Sequence, residues 1–379
     1  MAWLSGLKRA LQRPSEEERR RAERRPATGL AALYGTDSAS TPAAIKEISA
    51  YGIYLLLDER PRVGELMNLI LRKEGEPENN SELQVSVHAE VVRHEEDGIG
   101  LAFVLPPGMD VDLWGVLIKQ IVTLTDPDQV AEMFRSLRTF LFLSRLCPTD
   151  AGEAILLFNG QLDVDHTAAV FKIALTAEKL LAVEPDAGRL RAHGKLVASI
   201  LREGSWARDE LTSDLWTGLL LSSCSVDEPD DSNQILVDLL VHVTPVEAKI
   251  FAAACARALD AAPAFENSAP ASVVFTPKEI VDITGVNDLY RDATDLGYLF
   301  NLGLIEKSFD FSSYSHADSF DVTPTPLGLA LYQHCHGQRE KLEPDLIESA
   351  HVHLADFLPA PRPVIDNQPR ASAPPSSES

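Results

Sequence analysis

The sequence predicts an α+β multidomain protein, with a small antiparallel β-barrel first and then a helical region that ends in a winged-helix-like module. Three observations predict it. Between Pro26 and Leu105 short apolar runs alternate with turn residues. After Pro106-Pro107-Gly108 apolar residues recur instead at spacings of three and four. From Thr244 onward, two Thr-Pro-x-Glu start signals open helices ahead of two short β-like runs. With 379 residues, 45% of them hydrophobic and 24% charged, there is apolar material for two or three domains, which excludes collagen-like, low-complexity and wholly disordered classes.

Residues 1–18 form an N-terminal amphipathic segment. Within 1–13, Trp3, Leu4, Leu7 and Leu11 fall opposite Lys8, Arg9 and Arg13 at helical spacing. Docking on the protein's own body is the expected role, with membrane-surface contact the weaker alternative. Residues 19–105 make the barrel. Its strand-like runs lie at 43–45, 52–57, 66–71 and 85–92, and turn signals separate them at 35–37, 58–61, 74–80 and 96–98.

The helical middle region spans 109–184, with periodic segments at 113–124, 127–147, 151–157 and 167–183. Asp126, Thr149 and Asp165 are placed as start signals. A second helical segment, 185–243, carries helices over 188–201, 207–224 and 233–241, interrupted by the acidic loop 226–231. The winged-helix-like domain covers 244–340. Thr244-Pro245-Val246-Glu247 opens a helix through Leu259, and Thr276-Pro277-Lys278-Glu279 opens one at 280–284. A third helix runs over 287–302, and 304–307 pairs with 319–322 as a hairpin; a closing helix covers 327–335. Residues 356–379, with six prolines between Pro359 and Pro375, are expected to be a disordered tail.

The formal charge of −23 repels phosphate backbones, but it is unevenly spread. Residues 1–30 carry eight Lys/Arg against four acids, so everything after them stands at −27. Cys147, Cys224, Cys255 and Cys335 lie far apart without CxxC pairing, which argues against a disulfide framework or a zinc site. No apolar stretch is long enough for a membrane span or a secretion signal, so a soluble, cytoplasmic protein is expected.

The sharpest functional signal is at the front of the barrel. Arg20-Arg21-Ala22-Glu23-Arg24-Arg25 holds two overlapping RxxxR spacings. Some twenty residues on, Glu47-Ile48-Ser49-Ala50-Tyr51-Gly52 leads straight into an apolar strand. Arginine suits bidentate phosphate contacts and stacking on purines. A serine and a glycine at a strand junction offer a hydroxyl and a close backbone approach. The chain here resembles the PilZ family, bacterial receptors for cyclic di-GMP, over roughly Arg19 to Leu105, including Asp97-Gly98-Ile99-Gly100-Leu101-Ala102-Phe103.

That resemblance implies a six-stranded barrel and a non-enzymatic cyclic di-GMP site. An arginine pair (Arg20 with Arg24, or Arg21 with Arg25) would wrap guanines and phosphates, and a [D/N]xSxxG wall motif would meet the other face through Ser49 and Gly52. Glu47 stands where the family has Asp or Asn, one methylene longer, and this bears on affinity more than on fold. Two outcomes stay open: a ligand-competent domain, or a degenerate barrel kept as a protein-interaction surface. Without the wall motif, the arginines read as a solvated basic helix partnered by Glu16 to Glu18 and Glu23.

Residues 208–220, 240–248, 302–305 and 325–328 resemble the Abi-alpha abortive-infection family over roughly Pro185 to His336, through helix-packing and capping residues. That resemblance implies a phage-defence or stress role with no enzymatic residues. A winged helix invites DNA binding, but residues 272–336 hold three Lys/Arg against nine acids, and the would-be recognition helix carries Asp288, Asp292 and Asp295 beside only Arg291. A protein-interaction or dimerisation module, homo-oligomers included, fits that charge better. Asp163-Val164-Asp165-His166 reads as a helix start rather than a metal cluster, and donors at His334, Cys335 and His336 point in different directions on a helix. The expected function is a non-enzymatic cyclic di-GMP receptor without cofactor, whose helical body signals to a protein partner. The alternative is an abortive-infection-like or structural adaptor, and a transcription regulator comes third.

Overall fold

The computed structural model describes residues 24–27, 29–36, 39–74, 83–106, 109, 111–124, 126–148, 164–227, 229, 231–261, 272–306 and 319–355. Strands β1 (Leu30–Thr36), β2 (Ala39–Ser49), β3 (Gly52–Leu56), β4 (Leu66–Lys73), β5 (Gln84–His94) and β6 (Gly98–Val104) close a barrel in the order β1-β2-β3-β6-β5-β4. Every neighbouring pair is antiparallel, so the sheet has no open edge. Period-two alternation drives the closure. In β4 and β5 the side chains of Met67, Leu69, Leu71, Val85, Val87, Ala89 and Val91 fill the interior, while Asn68, Ser86 and His88 face outward.

Two irregularities interrupt that alternation. The β2–β3 register shifts between Ile45 and Glu47, and the β5–β6 register shifts between Val91 and Arg93. An extra residue at a bulge leaves two consecutive side chains on one face of the sheet. Lys46 and Glu47 therefore leave the barrel together, as do Val92 and Arg93.

Eleven helices follow among the described residues: α1 (Val111–Thr123), α2 (Pro127–Leu146), α3 (Val164–Leu181), α4 (Gly194–Gly204), α5 (Glu210–Ser222), α6 (Gln234–Leu240), α7 (Pro245–Ala261), α8 (Pro277–Thr284), α9 (Leu289–Asn301), α10 (Pro326–His334) and α11 (Pro344–Leu354). Asp126 caps α2 by accepting from the N–H groups of Asp128 and Gln129. Both Thr-Pro-x-Glu signals close reciprocally. Glu247 accepts from the Thr244 N–H at 2.6 Å while Thr244 Oγ1 accepts from the Glu247 N–H at 3.3 Å. The Thr276 and Glu279 pair does the same at 2.8 and 3.3 Å.

Three local expectations are corrected. Asp165 lies inside the first turn of α3 rather than capping it, and its carboxylate is 3.6 Å from Arg208. The helix expected from residue 188 begins at Gly194, because Arg191 exchanges backbone hydrogen bonds with Ser225 at 2.7 and 2.8 Å and holds its own segment extended. The run at 319–322 does not form an isolated hairpin with 304–307. Its strand β8 (Phe320–Asp321) pairs with β7 (Val274–Phe275), which precedes α8, and the described part of the other run, 304–306, meets 323–325 instead, with the Glu306 N–H donating to the Thr323 carbonyl at 2.8 Å and the Thr325 N–H to the Leu304 carbonyl at 3.1 Å. The expected segments at 1–18, 151–157 and 356–379, and the start signal at Thr149, lie outside the described residues.

One continuous apolar core runs from Ala27 in the barrel to Leu354 in α11. Its seam between barrel and helices is formed by α1, which packs on β2, and by α2, which packs on β5. Trp114, fully buried, meets the Phe103 ring edge-on with centroids 5.3 Å apart. A Cβ added at Gly115 would lie 2.8 Å from the Ala50 Cβ, so the helix presses closely on the β2–β3 turn. All four cysteines are free and buried. No helix among the described residues is long and apolar enough to cross a membrane.

Candidate functional site on the barrel wall

Ser49 and Gly52 pair across the ends of β2 and β3, with Ala50 and Tyr51 as the two-residue turn. Ser49 Oγ donates to the Gly52 carbonyl at 3.3 Å and accepts from the Tyr51 N–H at 3.4 Å. Gly52 is needed for close approach, since a Cβ there would collide with the Leu101 carbonyl oxygen on β6. The Tyr51 carbonyl then accepts from the Phe103 N–H at 2.9 Å, which fixes the turn against β6 and the seam.

The chain entering the barrel is pinned beside this turn. Arg25 and Ile48 exchange backbone hydrogen bonds, both at 3.0 Å, so Arg25 extends the β1 side of β2 by one rung. That rung places Arg24 over the bulge, where its Nη1 donates to Glu47 Oε1 at 2.9 Å. Arg24, Glu47, Ser49 and Gly52 are thereby gathered on one stretch of wall, whereas Arg25 pairs with the inward-facing Ile48 and has its Nε buried. Arg20 and Arg21 lie outside the described residues.

Lys46, Tyr54, Arg93 and Asp97, none of them given a site role from the sequence, complete the patch. Tyr54, paired with Glu47 in register, points outward yet is buried beneath its neighbours. Its hydroxyl donates to Asp97 Oδ1 at 2.7 Å, and Lys46 Nζ donates to Asp97 Oδ2 at 2.6 Å. Lys46 Nζ and the Arg93 Cζ lie 5.0 and 5.8 Å from the Tyr54 ring centroid, within cation–π range. Arg93 Nη2 is 3.2 Å from Glu95 and 3.8 Å from the same Glu47 oxygen that Arg24 holds.

The electrostatics follow from these contacts. Burial first, and then the hydrogen bond to the Asp97 carboxylate, push the Tyr54 hydroxyl up to about 12, so it stays a proton donor. The hydrogen bond from Lys46, followed by that from Tyr54, holds the Asp97 carboxyl below its ordinary value. The Asp97 hydrogen bond raises Lys46 in return. Among the described residues the wall therefore offers fixed charges and the Ser49 hydroxyl over a buried tyrosine, groups suited to binding an anion.

Two sequence signals pointed at the missed residues. Val91-Val92-Arg93 breaks the alternation of β5 and marks the bulge, and Gly98-Ile99-Gly100 leaves the neighbouring strand bare where long side chains cross it. Tyr54 had no such signal, because it sits inside the uniformly apolar run 52–57. Elsewhere, the ring nitrogens of His334 face the carbonyls of Ala330 and Glu340, and His336 faces that of Tyr332. These donors diverge. No cluster of three metal-ligating side chains occurs among the described residues.

Residues 18–118 match the family model of the PilZ domain, covering the barrel and the first part of α1. No curated protein matches the chain. The N-terminal barrel is a PilZ domain. That membership supports a cyclic di-GMP-binding receptor role in general terms, and PilZ domains are typically non-enzymatic binding domains.

Proposed function

Proceeding from the PilZ domain at residues 18–118, we propose that this protein is a cyclic di-GMP receptor in which the helical body passes the bound state of the barrel to a protein partner. One observation carries the reading: Arg24, from one end of the RxxxR segment, already lies across the wall motif on Glu47, beside Ser49 and Gly52. A diphosphate ligand would find there a guanidinium for bidentate contact, a hydroxyl and a bare backbone. Arg20, Arg21 and Arg25 supply the remaining positive charge of the basic segment.

Transmission is supported by the seam. The turn carrying the motif abuts Gly115 on α1, and the next residue down that helix toward its start is the buried Trp114. A ligand that draws Ser49 or orders the arginine segment acts on a turn in direct contact with the helical body. The winged-helix-like end and its acidic α9 favour a protein partner or a second copy of the chain over DNA, and the cytoplasm is the compartment where the nucleotide is met.

A second reading is favoured by the Arg24–Glu47 ion pair itself. Glu47 takes Arg24 as its own ion-pair partner, as expected of a degenerate barrel in an abortive-infection-like or structural adaptor. Titration calorimetry of the full chain with cyclic di-GMP separates the two. Saturable heat in the wild type that is lost in Arg24→Ala and weakened in Ser49→Ala supports the receptor. A flat wild-type titration removes it.

A further inference from the structure

We infer that Arg93 is an additional arginine of the nucleotide site, resting on Tyr54 and on the shared carboxylate of Glu47 until ligand arrives. The inference rests on the cyclic di-GMP reading and goes beyond the arginine segment and the wall motif. It begins with backbone. The bulge between Val91 and Arg93 aims the Arg93 side chain outward and across β6, where it lies over Gly100. A Cβ on Gly100 would come within 2.8 Å of both Cγ and Nε of Arg93, so a bare strand at this position lets the side chain cross.

The side chain then ends on a prepared surface. Its guanidinium lies 5.8 Å from the Tyr54 ring centroid, and that ring is held in place by the 2.7 Å bond to Asp97. A guanidinium supported from below by an aromatic face presents its other face outward, which suits stacking under a purine or forking onto a phosphate.

Glu47 links this residue to the motif. Its Oε1 is 2.9 Å from Arg24 and 3.8 Å from Arg93, so one oxygen serves two guanidinium groups that approach from opposite sides, one from the entering segment and one from β5. Both arginine side chains are close to half exposed, and pairs of that kind are individually weak. Contacts from arginine to a phosphate are charge-assisted and frequently bidentate, and hence stronger. An incoming phosphodiester therefore exchanges favourably for Glu47 at both groups. In this arrangement the longer side chain at position 47 is the counter-ion that the phosphodiester displaces.

The test is calorimetry of the full chain with cyclic di-GMP at two salt concentrations, on wild type, Arg24→Ala, Arg93→Ala, Arg93→Lys and, as a control outside the patch, Arg62→Ala. Arg93→Ala is expected to weaken binding by about tenfold or more. Its affinity should also depend less steeply on salt, with Arg93→Lys between it and wild type and Arg62→Ala unchanged. Near-UV dichroism checks that the variants fold, and the charge-conserving lysine variant keeps the comparison valid if the alanine variant loosens the wall. Arg93→Ala binding within twofold of wild type, with the same salt dependence, while Arg24→Ala loses affinity, overturns the role of Arg93 and leaves the receptor intact. A wild type without heat overturns both.

Discussion

Gly115→Ala tests whether α1 presses on the ligand-bearing turn. In an unhindered helix interior this substitution stabilises by about 1 kcal/mol, because alanine loses less backbone freedom than glycine. Here the added Cβ sits 2.8 Å from the Ala50 Cβ, about 1 Å inside ordinary methyl contact. Overpacking of this size costs about 1 to 3 kcal/mol. The net effect is a loss of up to about 2 kcal/mol in place of the usual gain. Ala50→Gly removes the opposing methyl, so the double variant should recover the propensity gain. The cycle of four proteins, unfolded in urea, should give a coupling of about 1 to 3 kcal/mol between the two positions. Because the displaced turn carries Ser49 and Gly52, Gly115→Ala should also weaken cyclic di-GMP binding, and Ala50→Gly should restore it. A Gly115→Ala protein about 1 kcal/mol more stable than wild type, with coupling under about 0.3 kcal/mol, would refute the contact and the transmission route built on it.

Three other outcomes follow from a helix cap and from buried or capped carboxyls. Thr276→Ala removes half of the α8 capping box and should cost about 1 kcal/mol by thermal denaturation. The Glu279 carboxyl is held down to about 2 by the Thr276 N–H first, then the Thr276 hydroxyl and Arg257. Its contribution is therefore complete above the ordinary 4.5 and decays as pH falls toward 2, and the melting deficit of Glu279→Gln should shrink over that window. Asp292 is fully buried with both oxygens lacking a hydrogen-bond partner; burial first, then Asp295 and Asp288, raise its carboxyl. The folded state then holds this proton to higher pH than the unfolded chain, so stability falls as pH rises from 3.8 through the raised value. Asp292→Asn should melt higher than wild type at pH 7 and equal to it below pH 3.8; a lower melting point at pH 7 would contradict the burial argument.

The sequence was most legible where local chemistry decides geometry. Thr244-Pro245-Val246-Glu247 and Thr276-Pro277-Lys278-Glu279 announce their helices because cap and reciprocal carboxylate are three residues apart, and both form as expected. Strands β4 and β5 were visible through their alternation. The start of α4 was not, because its position is set by the pairing of Arg191 with Ser225, 34 residues away. The partner of Phe320–Asp321 was hidden for the same reason: Val274–Phe275 precedes two helices, and a local hairpin is the cheaper guess. Helix α11 carried readable signals, Pro344 at its start and Leu346, Ile347, Ala350 and Leu354 in period, yet residues 341–355, between the closing helix and the expected tail, are assigned no element from the sequence.

In the candidate site, the motif residues were legible because they are near neighbours in sequence. Arg24 reaches Glu47 by a single backbone rung, and Ser49 meets Gly52 across a two-residue turn. Arg93 and Asp97 join them only once the barrel has closed, brought in by β5 and β6 from some fifty residues downstream. No periodicity encodes such a meeting, and two shifted registers decide which side chains take part.

The continuous core from Ala27 to Leu354 has a thermodynamic corollary. Where barrel and helices unfold together across this shared apolar interior, ligand held on the outer wall stabilises both. At a hundred times its dissociation constant, a ligand that binds only the native state adds about 2.7 kcal/mol. Helices far from the arginines would resist heat by that same amount without touching the nucleotide, and proteases or heat would sense the messenger at α11 as readily as at β2.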